Sequence, residues 1–394
     1  MTAIITDVKY RMSLALIRDL AQAGVRVVVC QTEDCRDNPA SPALGFSSRW
    51  VSQRHWLPVK GMLDALYGLC EEVFLQEGER PALLPVGAAT LAALAGERER
   101  FAAVCGLHIP SPEQLELFNS KQAVAELARR LDVPVPRDFT QREGESLDGF
   151  AARLPLPCVI KPVCGEKLGL AAAQRYAIAA DREEAARQYA RFSALDGRPP
   201  IVQEQLTGAG LGCSVLADRG RIVSAICHRR VREYPVTGGP SSCCVTVRRP
   251  ELEEYAARLV AETGYHGLAM FEFKEDGQGD PRLLEVNPRI WGTFPLTRVS
   301  RSGIPLLWHT LAWNAGNPDR AVPLPQRREP LACRMTFSAS DLMAARGYAR
   351  RGQGAKARSA LADLFRPSVR DGLWEWSDPR PGLAYYRSLL HKGS

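Results

Sequence analysis

The 394-residue chain is poor in several of the patterns that would fix its class at once. No C-x-x-C pair occurs among its 11 cysteines: Cys30 and Cys35 are spaced C-x4-C, and Cys243 and Cys244 are adjacent. None of the 6 histidines completes a finger pattern around them, which excludes that kind of structural zinc site. The odd cysteine count and the start Met1-Thr-Ala-Ile-Ile-Thr-Asp, which lacks a cationic leader region, predict free thiols in a reducing cytoplasm. The longest apolar-looking stretch, Pro81 to Gly96, is too short to cross a bilayer and is broken by Pro85 and Gly87, so no membrane segment is expected. Runs of five like charges, repeats and low-complexity tracts are also missing.

What remains is an ordinary globular composition. Hydrophobic residues make up 45% and charged residues 24%, which excludes a mostly disordered chain, a collagen-like fibre and a small disulfide scaffold. At about 150 residues per domain, two to three domains are expected. The formal net charge of +7 suits a phosphate-bearing small molecule as well as a nucleic acid.

The chain opens as β-α-β. Ala3 to Asp7 is a short strand-like run, Ser13 to Ala23 has helical spacing, Gly24 ends it, and Val25 to Cys30 reads as a buried parallel strand. The first turn, Asp7-Val-Lys-Tyr-Arg-Met-Ser13, contains no glycine, so the dinucleotide fingerprint is absent and the unit reads as a structural Rossmann-like half. Ala82 to Pro85 is a further strand followed by a helix to about Ala95. Ser120 caps a helix to Leu131. Pro157 to Lys161 is a strand, Asp181 caps a helix to Ala194, and Ile201 to Gln205 is a strand. Cys213 to Asp218 and Arg221 to Arg230 pair around Arg219-Gly220, and Glu251 to Thr263 is a helix ended by Gly264. The tail after 336 is Arg-rich and the least legible part.

The most informative segment runs from Leu268 to Arg289. Two alternating apolar runs flank a Gly/Asp/Pro turn, a hairpin signal. A turn centred between Gln278 and Gly279 places Glu272 opposite Glu285, with Asn287 on the same face, while Phe271, Phe273, Leu284 and Val286 point to a core. Like charges across strands repel, and a cation between them relieves it. An oxygen-only set suits Mg2+. Alone, the pattern also fits a solvated face with two ordinary glutamates.

Lys121, Lys161 within Val-Ile-Lys-Pro, the segment Gln203-Glu-Gln-Leu-Thr-Gly208, and Glu272…Glu285-Val-Asn-Pro-Arg289 occur in this order. Over residues 1 to 335 the order and spacing resemble the ATP-grasp superfamily, and within it carboxylate–amine ligases and the synthetase units of the carbamoyl phosphate synthetase large subunit. The resemblance implies an α/β and α+β fold: a Rossmann-like (pre-ATP-grasp) domain over 1–112, a small lobe with a phosphate lid over 113–200, a large lobe with the metal hairpin over 201–335, and an extension over 336–394. The two α+β lobes would clasp ATP. It further implies that Lys121 and Lys161 contact phosphates, that Glu166 and Lys167 in the lid join the nucleotide contacts, and that Gln203, Glu204 and Leu206 form the hinge meeting adenine. Glu272, Glu285 and Asn287 would hold Mg2+ or Mn2+. Arg289, Arg230 and Lys161 would stabilise charge during phosphoryl transfer. After Gly208 the chain reads Ala-Gly-Leu-Gly-Cys213, with no acidic ribose contact; Gly208, Gly210 and Gly212 read as permitting a tight turn.

A second constellation is His228 to Ser242. Alternation puts His228, Arg230 and Arg232 on one side and Arg229 and Glu233 on the other. Arg229, Arg230, Arg232, Glu233, Gly238 and Gly239 are the candidate substrate contacts, the arginines for a carboxylate and the glycines for close backbone approach; an exposed basic strand is the plainer reading. No aromatic pattern for nucleic acid is interleaved, so no nucleic-acid partner is expected. The leading reading is an ADP-forming ligase that joins a small carboxylate and an amine through an acyl phosphate. Bicarbonate activation, as in carboxylases or carbamoyl phosphate synthesis, and a non-catalytic ATP-binding regulator are the alternatives. A homodimer is the default expectation.

Overall fold

The computed structural model describes residues 1–163, 168, 170, 174 and 176–391. Its first strands form a parallel sheet whose central members are buried on both faces. They are β1 (Thr2–Ile5), β2 (Arg26–Thr32), β3 (Gln53–Leu57) and β4 (Ala82–Leu84), paired in parallel in the order β3-β2-β1-β4. The helix Ser13–Gln22 packs Leu14, Leu16, Ile17 and Leu20 on one face of this sheet; Met62–Glu77 packs Leu66, Leu69 and Val73 on the other. Asp7 follows β1 with φ +56°, and its carboxylate accepts hydrogen bonds from the Gly87 amide and the Thr90 hydroxyl, both at 3.0 Å. Those donors begin the helix Ala88–Gly96. An internal carboxylate thus satisfies the N-terminus of the helix that follows β4.

The second sheet is antiparallel. It comprises β5 (Asp138–Phe139), β6 (Cys158–Lys161), β7 (Ala177–Ala179) and β8 (Ile201–Glu204), in the order β5-β8-β6-β7. Cys158, Ile160, Ala179 and Val202 meet Phe150, Tyr189 and Phe192 of two covering helices. The register puts Val159, Lys161, Ile178, Ile201 and Gln203 on the other face, where none is fully buried.

The third sheet holds β9 (Gly210–Asp218), β10 (Arg221–Glu233), β11 (Ser241–Thr246), β12 (Gly267–Glu275), β13 (Pro281–Asn287), β14 (Arg334–Thr336) and β15 (Val369–Asp371), in the order β13-β12-β9-β10-β11-β14-β15. β9 and β10 are joined by Arg219-Gly220, both with positive φ (46° and 82°), the two-residue turn that matches strand twist. One face packs Cys213, Val215, Phe271, Phe273 and Val286 against the helices Pro250–Glu262 and Lys121–Arg130. On the other face Leu216, Ile226, Leu268 and Met270 merge with the core of the first sheet through Trp291, Phe294 and Trp308. Each such fully buried side chain contributes about 1.5–3 kcal/mol. The far end of that second face carries the charged residues described below.

The tail is not a separate appendage. β14 crosses the expected boundary at 335/336, and β15 pairs with it in parallel. Arg18, 3% exposed, donates to Asp378 Oδ2 at 3.0 Å and to the carbonyls of Leu373 and Asp378. All ten described cysteines are free, and only Cys333 is not buried. No helix among the described residues is long and apolar enough to cross a membrane.

Candidate active site

β12 and β13 bring the carboxylates together. Glu272 faces Glu285 and Met270 faces Asn287, as the hairpin arithmetic requires. A bulge follows Glu272: Phe273 pairs with Leu283, so Leu283 enters the core and Leu284, expected there, stays half-buried. The extra residue lies on β13 and leaves the acidic pair in register.

Cations converge on this pair from three elements. Lys121 begins its helix behind Ser120, whose side chain accepts from the Ala123 amide, and its Nζ lies 2.7 Å from Glu285 Oε2. A lysine in a first helical turn works against the macrodipole, so the Glu285 contact, not local helix chemistry, favours it there. From β10, Arg230 Nη2 reaches Glu272 Oε2 at 2.6 Å. Lys161 ends β6. Burial, and then repulsion from Lys121, pull its pKa down to about 8, although Glu285 and Asp138 act the other way. No carboxylate among the described residues comes within ion-pair distance of its ammonium, so its face of the cleft suits an anion. Burial raises the Glu272 carboxyl, helped by Glu285 and opposed by Arg230. Burial also pushes Glu285 up, but Lys121, with Lys161 and Arg230, outweighs it and leaves Glu285 below its ordinary value.

Asn287 and Arg289 complete the row. Asn287 Nδ2 lies 3.3 Å from Glu272 Oε1, and Arg289 donates to Asn287 Oδ1 at 3.1 Å and to the Ile290 carbonyl at 3.0 Å. In the hinge segment, Gln203 donates to Asp138 at 2.6 Å on the same open face as Lys161. The Glu204 carboxylate accepts from the amide and guanidinium of Arg137 at 3.0 and 2.9 Å, and Leu206 is buried. Glu166 and Lys167, with the rest of 164–167 and 169, lie outside the described residues.

The second constellation divides. A bulge at Val231 breaks the alternation of β10, so Arg230 and Glu233 come within 3.8 Å of each other instead of facing opposite ways. Arg232 is not a substrate contact: it is 1% exposed and pairs with Asp341 and Asp363 at 2.7 and 2.6 Å, with Ser359 also accepting. Arg229 is aligned with Leu211 of the core-facing side and is exposed, on the face away from the acidic pair. Gly238 and Gly239 admit parts of the chain itself. A side chain on Gly238 would strike the Tyr176 hydroxyl, which donates to the Thr237 carbonyl, and one on Gly239 would strike Tyr234.

Gly210 and Gly212 lie in strand β9, not in the expected turn. A Cβ on Gly212 would lie 2.3 Å from the His228 ring, and one on Gly210 would lie 3.0 Å from Arg230. The two glycines make room for those side chains to lie flat over the sheet. Sequence reasoning missed this, and it missed Asp341, Asp363 and Tyr176, which no local motif marks. His228 is fully buried, with Nε2 3.4 Å from the Thr293 hydroxyl; burial, then Arg230, hold its pKa down to about 3, so it is neutral.

The donor set fits the expected ligands. Two carboxylates and a carboxamide oxygen suit a hard divalent cation, and two ammonium groups on the facing elements suit phosphate. Residues 197–332 match the family described as ATP-grasp in the biosynthetic pathway with Ter operon. A Campylobacter jejuni biotin carboxylase, in a β,γ-ATP complex, is similar over 84% of this chain and 74% of its own, with TM-score 0.59 and 15% identity. The biotin carboxylase domain of Hydrogenobacter thermophilus 2-oxoglutarate carboxylase, a dimer in complex with MgADP, ADP and bicarbonate, is similar over 84% of this chain and 72% of its own, with TM-score 0.55 and 17% identity. With the acidic hairpin facing strand and helix lysines across a three-sheet architecture, the chain shares the fold of these biotin carboxylase structures, and its residues 197–332 are similar to the ATP-grasp family.

Proposed function

We propose that the chain is an ADP-forming carboxylate–amine ligase. The observation that carries this is the juxtaposition of Glu272, Glu285 and Asn287 with Lys121, Arg230 and Arg289 on one sheet face, opposite the open face of β6 and β8. Glu272, Glu285 and Asn287 would hold magnesium, which when bound neutralises phosphate charge. Lys121 and Lys161 bind the phosphate tail of ATP, and the uncovered apolar residues Val159, Ile178 and Ile201 offer a surface for adenine, with Gln203, Glu204 and Leu206 at its edge. Arg230, held by Glu272 and Glu233, orients the substrate carboxylate, and Arg289 offsets the charge that develops on its oxygens. The carboxylate takes the γ-phosphoryl group, and the amine then displaces phosphate to form the amide. The amine supplies its own lone pair, so no nucleophilic side chain is needed.

A second reading, bicarbonate as the acceptor, is favoured by the resemblance to biotin carboxylase structures. An ADP-release assay separates the two: ADP that appears only with a carboxylate and amine pair supports the ligase, and ADP that needs bicarbonate alone supports the second reading. Tight ATP binding without turnover under either condition would overturn both and leave a nucleotide-binding regulator.

A further inference from the structure

Far from the acidic hairpin, three potential ligands meet at the other end of the large sheet. Asp218 is the last residue of β9, roughly 20 Å along the strand from Gly212 at about 3.3 Å per residue. His266 immediately precedes β12, and His108 lies on the connector between the first sheet and the helix Pro112–Asn119. One ligand atom from each lies within 4.8 Å of the others. The two imidazole centroids are 3.8 Å apart and tilted by 49°.

The hydrogen bonding prepares these groups to ligate. His108 Nε2 is 2.8 Å from the Ala217 carbonyl. A carbonyl only accepts, so Nε2 carries the proton and Nδ1 keeps its lone pair. This is how metal-bound imidazoles are commonly oriented. His266 Nδ1 is 3.1 Å from Asp218 Oδ1 and is sealed from water, so this nitrogen and the carboxylate already face one another. The backbone is fixed around them. Trp308 Nε1 donates to the His108 carbonyl at 2.8 Å, and a Cβ on Gly267 would lie 2.8 Å from Pro110. Burial holds His108 neutral, its pKa down to about 3, and lowers His266 as well. Arg98 and Arg219 favour the neutral, ligating imidazoles; they also repel cations, and the Asp218 charge opposes that.

We propose that His108, Asp218 and His266 form a binding site for a zinc-class divalent transition metal, separate from the nucleotide cleft, that staples the inter-domain connector to the large sheet. Two imidazoles and one carboxylate select such a metal over Mg2+ or Ca2+ and leave open positions for water. The cation exchanges water for the three side chains without redox change.

The test is Co2+ titration of the nucleotide-free, chelator-stripped full chain, read by visible d–d absorption and by thermal midpoint. One equivalent should bind with a spectrum lacking thiolate charge-transfer bands, and the midpoint should rise. His266→Gln and the more exposed Asp218→Asn should each weaken binding at least about 10- to 100-fold, the loss that even a supporting partner commonly causes. Glu285→Gln should keep the spectrum, which separates this site from the hairpin. Absence of a Co2+ spectrum in the parent chain, or one that survives both substitutions in folded protein, overturns the proposal.

Discussion

Arg230 and Arg232 stand two residues apart on β10, and each meets two carboxylates. Around Arg232 the groups are closed in: its side chain is 1% exposed, Asp341 and Asp363 are 0% exposed, Ser242 donates to Asp341, Ser359 accepts from Arg232, and Arg334 and Arg366 pair with Asp363. Around Arg230 the groups stay 17–30% exposed, and Glu272 and Glu233 share it with a third carboxylate, Glu285, close by. Both clusters have the same chemistry. One is complete and acts as a structural rivet. The other keeps three carboxylates partly exposed, and lies beside the open face of β6 and β8. Exposed lone pairs, not the number of charges, separate a ligand site from a tie.

The largest effect should come from the open cluster. Glu285→Gln should lower ADP release about 10²- to 10³-fold with unchanged circular dichroism; equal turnover would erase the distinction. For the closed cluster, Asp363→Asn leaves buried Arg232 partly uncompensated and should cost about 3–5 kcal/mol in urea unfolding. Glu272→Gln should cost far less, because Glu233 and Glu285 still flank Arg230. Arg230→Met should raise the KM for the carboxylate about tenfold while sparing the KM for ATP; the reverse pattern would move this arginine to the nucleotide.

Proton binding sharpens the comparison further. Lys161 is charged below about 8 in the free protein. ATP affinity should therefore be fully present below that value and fall, by up to about tenfold per pH unit, as pH rises through it. Its folded pKa lies below the ordinary 10.5, so the unfolded chain binds more protons between about 8 and 10.5, and stability should rise with pH there. Isothermal titration at several pH values, with Lys161→Met as a flat control, checks the first; urea midpoints check the second. The smallest effect is expected for Tyr176→Phe, which removes one hydrogen bond between the lobes, about 1 kcal/mol, and should raise the KM for ATP only a few-fold.

Much of this was legible beforehand because it is local. Strand alternation and a symmetric turn place Glu272 against Glu285, and Ser120 and Asp181 cap the helices they precede. What was not legible depends on bulges and on distant partners. One extra residue sends Leu283 inward instead of Leu284, and another at Val231 separates Arg232 from Arg230. Asp341 is 109 positions from Arg232, and nothing near either residue announces the pairing. The glycines of β9 read as turn formers because their use, clearance beneath His228 and Arg230, appears only once β10 lies beside them.

The link from Arg18 to Asp378 spans 360 positions. During synthesis at about 5–20 residues per second, the guanidinium emerges early and waits tens of seconds for its carboxylate. Until residues 369–378 leave the ribosome, the first sheet carries an uncovered cation and the large sheet lacks an edge strand. Removing that segment would therefore harm the first sheet as much as the large one.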